Sequence, residues 1–210
     1  SQYGVDYIRI TCEGIVTIRF TGSQQARVIP PDPASGEYLV WSNRGDESDM
    51  TLTRPFDFIG VSAPLTLEFQ TWYDIEEDYD YVYVEVSTDG GAHWTILTTP
   101  SGTDEDPSGN SYGWGYNSTS GGGAQPEWTT EEVDLSPYAG RSVLVRFEYV
   151  TDAAVNGAGM ALDDIAIPEI NYRENFEEGE GGWDYAGWVR IQNRLPQPFR
   201  VQVIEKGSET

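Results

Sequence analysis

Two short acidic stretches carry the side chains of this sequence that are best suited to chemistry. Residues 44–50 read RGDESDM and residues 160–165 read MALDDI, so each stretch supplies at least two carboxylates. Carboxylate and backbone carbonyl oxygens are the ligands of hard cations such as Ca²⁺, which takes about 6–8 of them. The two stretches lie far apart along the chain, so the fold must bring them together before they can share an ion.

The net charge of the chain favours cations over polyanions as partners. Its 210 residues include 12 Lys and Arg against 35 Asp and Glu, which gives a net charge of −23. Such a charge repels nucleic acid and anionic membrane surfaces, although it can also serve only to keep a protein soluble. We therefore expect neither nucleic acid nor a membrane surface as a partner.

The sequence lacks the segments that would anchor or export a protein. No stretch reaches the roughly 18 apolar residues that a membrane span requires. The chain has no starting Met and no basic-then-apolar signal segment, and it starts and stops in strand-like sequence. We therefore expect it to be a fragment of a larger protein. Cys12 is its only cysteine, which excludes an intrachain disulfide.

The spacing of apolar residues predicts an all-β fold. Residues 64–74, 81–87 and 142–150 alternate apolar and polar side chains with the period of two that a strand requires. The sequence DGGAHW at 89–94 is typical of a hairpin turn, because glycine readily adopts a positive φ. Residues 98–127 are rich in Gly, Ser and Asn and predict a long loop. Short strands separated by turns are typical of a sandwich or a barrel.

Two flanks are predicted to lie outside the central domain. Residues 3–20 and 187–205 contain strand-like runs, which can pair as a second, partial β module with the central domain inserted between them. The predicted division is flanking strands at 1–34, a sandwich at 35–170, and an acidic linker with returning flanking strands at 171–210.

Four segments together resemble a known domain family. They are WSNRGDESDMTLTR at 41–54, TWYDIEEDYDYVYVEVSTDGGAHW at 71–94, VDLSPYAGRSVLVRFEYVTD at 133–152 and GMALDDIAI at 159–167. They resemble the β-sandwich domain that follows the catalytic domain in secreted bacterial metallopeptidases of the immune inhibitor A family. The last segment is also similar to the end of MAM-type jelly rolls. The resemblance implies a two-sheet antiparallel jelly roll, an extracellular setting and a bound Ca²⁺.

The resemblance does not extend to catalysis. The zinc site of these peptidases needs a helix with the pattern H-E-x-x-H, and the only histidine here is His93, in the predicted hairpin turn. We therefore expect a non-catalytic accessory domain that positions or buttresses a catalytic neighbour. Its expected partners are the neighbouring domains of the parent chain.

The expected calcium site joins the two acidic stretches. In a jelly roll the first and last strands of the domain can lie side by side, so the loop at 43–50 can meet the last strand. One of the two consecutive aspartates there points inward, where an ionised carboxylate is costly unless it is paired or metal-bound. The expected ligands are Asp46, Asp49, one of Asp163 and Asp164, and carbonyls near Gly45. The alternative is that these aspartates only cap turns, with Arg44 as an ion-pair partner.

A second acidic cluster occupies a predicted connection between strands. The sequence DIEEDYD at 74–80 contains Asp74, Glu76, Asp78 and Asp80. These residues either hold a second metal ion or form an ordinary solvated turn.

The polar faces of the central strands suggest a different function. Aromatic rings with adjacent carboxylates and arginine suit sugar rings, whose apolar faces stack while their hydroxyls bind polar groups. The expected ligand face comprises Glu68, Gln70, Trp72, Tyr81, Tyr83, Glu85, Arg146 and Glu148. This alternative makes the chain a carbohydrate- or cell-surface-binding module whose partner is a glycan or a surface protein. The same face can also be solvated, or dock a neighbouring domain.

Overall fold

Strands dominate the part of the chain that the structure describes, residues 7–204 of a computed structural model. The strands are Gln25–Ala26 (β1), Leu39–Trp41 (β2), Asp49–Asp57 (β3), Thr66–Asp74 (β4), Tyr81–Ser87 (β5), Thr95–Ile96 (β6), Thr129–Asp134 (β7), Ser142–Val150 (β8), Gly159–Ile167 (β9), Tyr172–Glu174 (β10), Asp184–Ala186 (β11), Val189–Ile191 (β12) and Leu195–Pro196 (β13). Within this range the helices are single 3₁₀ turns at Ser120–Gly122, Ser136–Tyr138 and Pro168–Ile170. None of them is long and apolar enough to cross a membrane. The all-β prediction is confirmed.

Two antiparallel sheets build the central unit, Ile29–Asn193. One sheet has the order β12-β2-β9-β4-β7, with β10 also paired to β9, and the other has the order β11-β3-β8-β5-β6. From β2 to β9, consecutive strands therefore alternate between the two sheets except at the β5–β6 hairpin, whose strands share one sheet. The resulting orders, 2-9-4-7 and 3-8-5-6, are consistent with the predicted jelly roll.

The core lies between the two sheets and follows from strand periodicity. Val82 and Val84 on β5 and Phe147 on β8 are fully buried, as the alternation of apolar residues predicted. Phe69 of β4 meets Phe147 edge-on, with 5.1 Å between the ring centroids, so these rings join one sheet to the other. Each such side chain contributes about 1.5–3 kcal/mol through its burial. The sandwich is therefore held by the inward faces of strands that the sequence reveals.

The central unit is longer than the predicted sandwich at 35–170. Strands β10, β11 and β12 join its two sheets instead of forming a linker and a flanking module. Trp183 and Trp188, only 4% and 2% exposed, lie with their rings 5.9 and 6.3 Å from that of Phe147. These strands have three residues each, which is too short for an alternating pattern to be recognised in the acidic, glycine-rich sequence.

The flanks form a separate unit and pair over a short length. Gln25 and Ala26 of β1 lie opposite Pro196 and Leu195 of β13 in an antiparallel register. Phe20 and Phe199 make an edge-on ring contact at 5.1 Å. Residues 7–20, predicted to be strands, contain none. The predicted run at 187–205 is divided, since β12 belongs to the sandwich and β13 to the flanks; residues 3–6 and 205 lie outside the described range.

Truncation tests the extent of the sandwich. A fragment comprising 29–193 should unfold cooperatively with a melting temperature close to that of the whole chain, because it retains the core. A fragment comprising 35–170 should lose cooperative unfolding, since deleting buried Trp183 and Trp188 costs about 3–5 kcal/mol each. Circular dichroism against temperature distinguishes them, and a stable 35–170 fragment would show that β10–β12 are dispensable.

Candidate metal centre

Three carboxylates converge at one end of the sandwich. Glu76, Asp80 and Asp152 each place an oxygen within 4.8 Å of the others. Glu76 and Asp80 lie in the connection between β4 and β5, and Asp152 follows β8 directly. We call these three residues the acidic triad. Their separation suits a shared cation, because Ca²⁺ binds carboxylate oxygens at about 2.3–2.6 Å on opposite sides of the ion.

Strand register explains why the acidic triad forms. Strands β5 and β8 pair with Tyr81 opposite Val150, so the residues just outside this pair also come together. The Asp152 N–H donates a 2.9 Å hydrogen bond to Asp80 Oδ1, and the Tyr149 hydroxyl donates to Asp80 Oδ2 at 3.2 Å. Asp80 is completely buried, so these donors hold its carboxylate in one orientation.

The connection between β2 and β3 also lies beside the acidic triad. The Glu47 N–H donates to the Asp152 carbonyl at 2.5 Å, while Ser48 and Thr151 exchange hydrogen bonds between their backbones and the Thr151 hydroxyl. Asn156 Nδ2 donates to Asp46 Oδ1 at 2.6 Å, which holds that carboxylate beside the triad. Segments near residues 46, 76 and 152 therefore meet at one point, although they are distant in sequence.

The electrostatics of the triad favour a bound cation. Burial raises the pKa of Asp80 to about 6, against the opposing effect of its hydrogen bonds from Asp152 and Tyr149. Burial and the negative charges of Asp152 and Asp46 also raise the pKa of Glu76. Glu76 Oε2 is buried and finds no hydrogen-bond partner among the described residues. A buried oxygen without a donor, next to other carboxylates, is costly unless a proton or a cation neutralises it. The oxygen-only ligand set fits Ca²⁺.

The four aspartates of the expected calcium site do not come together. Strands β2 and β9 do pair, as expected, but their antiparallel register places Ser42 beside Met160. The loop that follows β2 therefore meets the beginning of β9. Asp163 lies four residues beyond Gly159, about 13 Å farther along the strand at roughly 3.3 Å per residue.

The aspartates of β9 have another role, on the segment that precedes β2. Asp163 is completely buried and accepts hydrogen bonds from the N–H groups of Ser35 at 3.0 Å and Asp164 at 2.8 Å. Asp164 Oδ1 accepts the Ser35 hydroxyl at 2.8 Å. Burial raises the pKa of Asp163 to about 7, so its proton is held more tightly than that of a solvated aspartate.

The other expected metal residues divide between two places. Asp46 lies beside the triad, and Gly45 precedes it in the same loop. Asp49 begins β3 on the outer face of the five-stranded sheet, where burial and the neighbouring Glu148 raise its pKa. The loop at 43–50 thus contributes to the metal centre through its first half only.

The second acidic cluster is brought together in part. Glu76 and Asp80 belong to the triad, whereas Asp74 ends β4 and Asp78 uses its backbone to bind Asn117 and Ser108. Sequence reasoning missed Asp152, the third carboxylate of the acidic triad. Only strand pairing could have revealed it. Asp80 comes just before β5 and Asp152 comes just after β8, and the antiparallel pairing of these two strands brings both residues to the same end of the sheet.

The expected ligand face does not exist as one surface. Glu68, Gln70 and Trp72 lie on β4 in one sheet, and the other five residues lie on β5 and β8 in the other sheet. Trp72, Tyr81 and Tyr83 are at most 2% exposed. The long loop covers them: Trp72 Nε1 donates to the Pro126 carbonyl at 3.1 Å, and the Tyr83 hydroxyl accepts the Tyr112 N–H at 2.9 Å. These aromatic rings fix the loop and are not available to a ligand.

Three of the remaining residues of that face influence one another electrostatically. Burial, together with the neighbouring Glu85 carboxylate, raises the pKa of Glu148 to about 7. Arg146, 3.8 Å from Glu148, stacks its guanidinium 3.7 Å from the centre of the Trp94 ring. Because both burial and a neighbouring carboxylate disfavour the charged form, Glu148 holds its proton to higher pH than a solvated glutamate.

The raised pKa of Glu148 predicts a pH-dependent stability. The folded state binds this proton more tightly than the unfolded state, so the stabilisation is complete below about pH 4.5 and is lost as pH rises through about 7. In chelator, the melting temperature should fall between these values. Glu148→Gln should flatten this fall in part, and the raised pKa values of Asp163 and Asp80 should account for much of the remaining slope. The exposed control Glu178→Gln should follow the wild type, and an unchanged slope in Glu148→Gln would contradict the assignment.

Comparison with known proteins identifies the domain family and several relatives. Residues 12–192 match the family described as immune inhibitor A-like, MAM domain. The chain is 31% identical over 157 residues to the pre-pro-metalloprotease PrtV of Vibrio cholerae, covering 73% of this chain and 16% of PrtV. It is 29% identical over 210 residues to bacillopeptidase F of Bacillus subtilis, covering 86% of this chain and 13% of that protein. Immune inhibitor A of Bacillus thuringiensis is 27% identical over 135 residues, 64% of this chain and 18% of that protein. The chain therefore spans less than a fifth of the length of these relatives, and it belongs to the immune inhibitor A-like MAM domain family.

Proposed function

We propose that this chain is a non-catalytic, calcium-stabilised accessory domain of a secreted, peptidase-like protein. The observation that carries the proposal is the acidic triad, in which a buried, donor-free Glu76 oxygen lies among carboxylates from two separate connections. Two of the relatives are named as a metalloprotease and a peptidase, and each match covers a small share of the relative's length. A domain of this kind positions or buttresses the part of the polypeptide that performs the reaction.

The residues support a structural role over a catalytic one. His93, the only histidine, lies with Nδ1 2.6 Å from Asp89 Oδ2 in the turn between β5 and β6. A zinc peptidase site of the H-E-x-x-H type requires two histidines on one helix, and this chain supplies one on a hairpin. The carboxylates that do converge hold connections together and lie at the end of the sandwich.

Calcium would act as a clip in a fold that has one cysteine and therefore no intrachain disulfide. Glu76, Asp80 and Asp152 would hold the ion, with Asp46 beside them. An ion that binds the native state but not the open chain stabilises it by about 4 kcal/mol at a thousandfold excess over Kd. The stabilisation would be greatest for the loops at 43–48, 75–80 and 151–156.

The flanks support a role in docking a neighbouring domain. Twelve of the 16 large apolar side chains that are exposed among the described residues lie in the flanks. They are Tyr7, Ile8, Ile10, Ile15, Val16, Ile18, Phe20, Leu195, Phe199, Val201, Val203 and Ile204. Exposed apolar surface of this density is typical of an interface. The occupant we propose is an adjacent domain of the same polypeptide.

Removing the ion tests the calcium proposal. Chelator should lower the melting temperature of the chain by several degrees or more, and Ca²⁺ should restore it better than Mg²⁺, which demands a smaller octahedral shell. Asp152→Asn and Asp80→Asn should abolish the response to Ca²⁺. Asp164→Asn is the matched control, because Asp164 lies outside the triad, and it should respond like the wild type. A melting curve unaffected by chelator would refute the metal centre.

Proton competition gives a second test of the same site. Because the pKa of Asp80 is raised to about 6, protons compete with the cation below that pH. A single competing proton should weaken Ca²⁺ binding roughly tenfold at pH 5 relative to pH 7. Calorimetric titration at the two pH values measures this difference. A Kd that does not change with pH would show that Asp80 is not a ligand.

A further inference from the structure

A surface cleft lies on the six-stranded sheet, apart from the acidic triad. It has a volume of about 510 Å³, within the usual range of about 300–1,000 Å³ for small-ligand sites. Two of its walls are the segment 31–34 and Trp128, and Gln70 and Asp164 complete the lining. None of these side chains takes part in the proposed metal centre.

Both walls of the cleft are fastened to the sandwich. Trp128 Nε1 donates a 2.9 Å hydrogen bond to the Asp32 carbonyl, which joins one wall to the other. The chain just after segment 31–34 is held at Ser35, which donates hydrogen bonds to the carboxylates of Asp163 and Asp164 on β9. The chain just before this segment is held by Asn193. Its side-chain oxygen accepts a hydrogen bond from the Ile29 N–H, and its side-chain nitrogen donates one to the Ile29 carbonyl, both at 2.9 Å. A cleft with fixed walls binds with little loss of conformational entropy.

Several unfavourable local features coincide at this cleft. Asp163 is a completely buried carboxylate, and Asp164 has a φ of 49°, a conformation that is uncommon for residues other than glycine, although aspartate tolerates it better than most. The pairing of β4 with β9 shifts register between Glu68 and Gln70, as in a β-bulge, which redirects side chains. Such features tend to concentrate where a protein sacrifices local stability for function.

The chemistry of the lining selects a ligand class. The half-buried Trp128 ring and the prolines of segment 31–34 supply apolar surface, and Gln70 and Asp164 supply an amide and a carboxylate at its edge. An aromatic face beside hydrogen-bonding groups suits a pyranose ring. The net charge of −23 repels acidic sugars. We propose that this cleft binds an oligosaccharide of neutral or amino sugars.

The proposed site differs from the ligand face expected from sequence. Of those eight residues only Gln70 lines the cleft, and Trp128 replaces the buried Trp72 as the stacking ring. Trp128 was not singled out in the sequence because it lies at the end of the long loop. Sugar binding here is independent of the calcium proposal, since the cleft walls are fastened by other residues.

Binding of defined sugars tests the proposal. Cellotetraose, chitotetraose and the tetramer of glucosamine would each be titrated into the whole chain, with binding followed by NMR and calorimetry. At least one should bind with a Kd of about 1 mM or tighter. Trp128→Ala should weaken that binding at least tenfold and Gln70→Ala several-fold. Trp94→Ala, which removes a tryptophan from the other sheet, should bind like the wild type.

Two results would overturn the proposal. One is the absence of binding of all three tetrasaccharides to the wild-type chain. The other is a Trp128→Ala or Gln70→Ala variant that melts and binds like the wild type. Gln70→Ala keeps both walls intact, so it remains informative if Trp128→Ala unfolds. Sugar binding that persists in folded protein without Ca²⁺ would separate this site from the metal centre.

Discussion

One end of the sandwich depends on the burial of the Asp80 carboxylate. A fully buried carboxylate must be neutralised or given hydrogen-bond donors, and Asp80 takes its donors from the backbone after β8 and from Tyr149. These bonds are possible only if β5 and β8 pair in their observed register. The requirements of one side chain therefore join the β4–β5 connection to the end of β8 and bring Glu76 and Asp152 into contact.

Other buried carboxylates of the sandwich also accept hydrogen bonds from irregular segments. Glu131, also completely buried, accepts the Ser101 hydroxyl at 2.5 Å and the Tyr116 hydroxyl at 3.0 Å, and so fastens both halves of the long loop. Asp163 fastens the segment before β2 through Ser35. Each of these acids holds an irregular segment onto a sheet by accepting hydrogen bonds. Part of the acidity of this protein is thus structural, in addition to any effect on solubility.

The sequence predicts the regular strands well and the short ones poorly. Strands β4, β5 and β8 have seven or nine residues, which is long enough for alternation to identify both the strand and its buried face. Strands β10–β12 have three residues, and their place in the sheets depends on long-range packing of Trp183 and Trp188. Periodicity over three residues cannot reveal such packing.

The acidic triad could be predicted from the sequence only in part, because strand pairing again decides which residues meet. The acidic connection at 74–80 and the loop containing Asp46 are conspicuous in sequence, but their joint partner Asp152 is set by strand order and register. The pairing of β2 with β9 was anticipated from the resemblance. Because the strands are antiparallel, the loop after β2 meets the beginning of β9, whereas Asp163, farther along β9, binds Ser35 instead.

The pair of hydrogen bonds between Ile29 and Asn193, which we call the clasp, has a mechanical consequence. The chain enters the sandwich at one of these residues and leaves it at the other, and their reciprocal hydrogen bonds keep the two points adjacent. Tension applied through the two flanks would load this clasp and the short β1–β13 ladder first. The connections around Asp80 would be loaded only after the Ile29–Asn193 hydrogen bonds had opened.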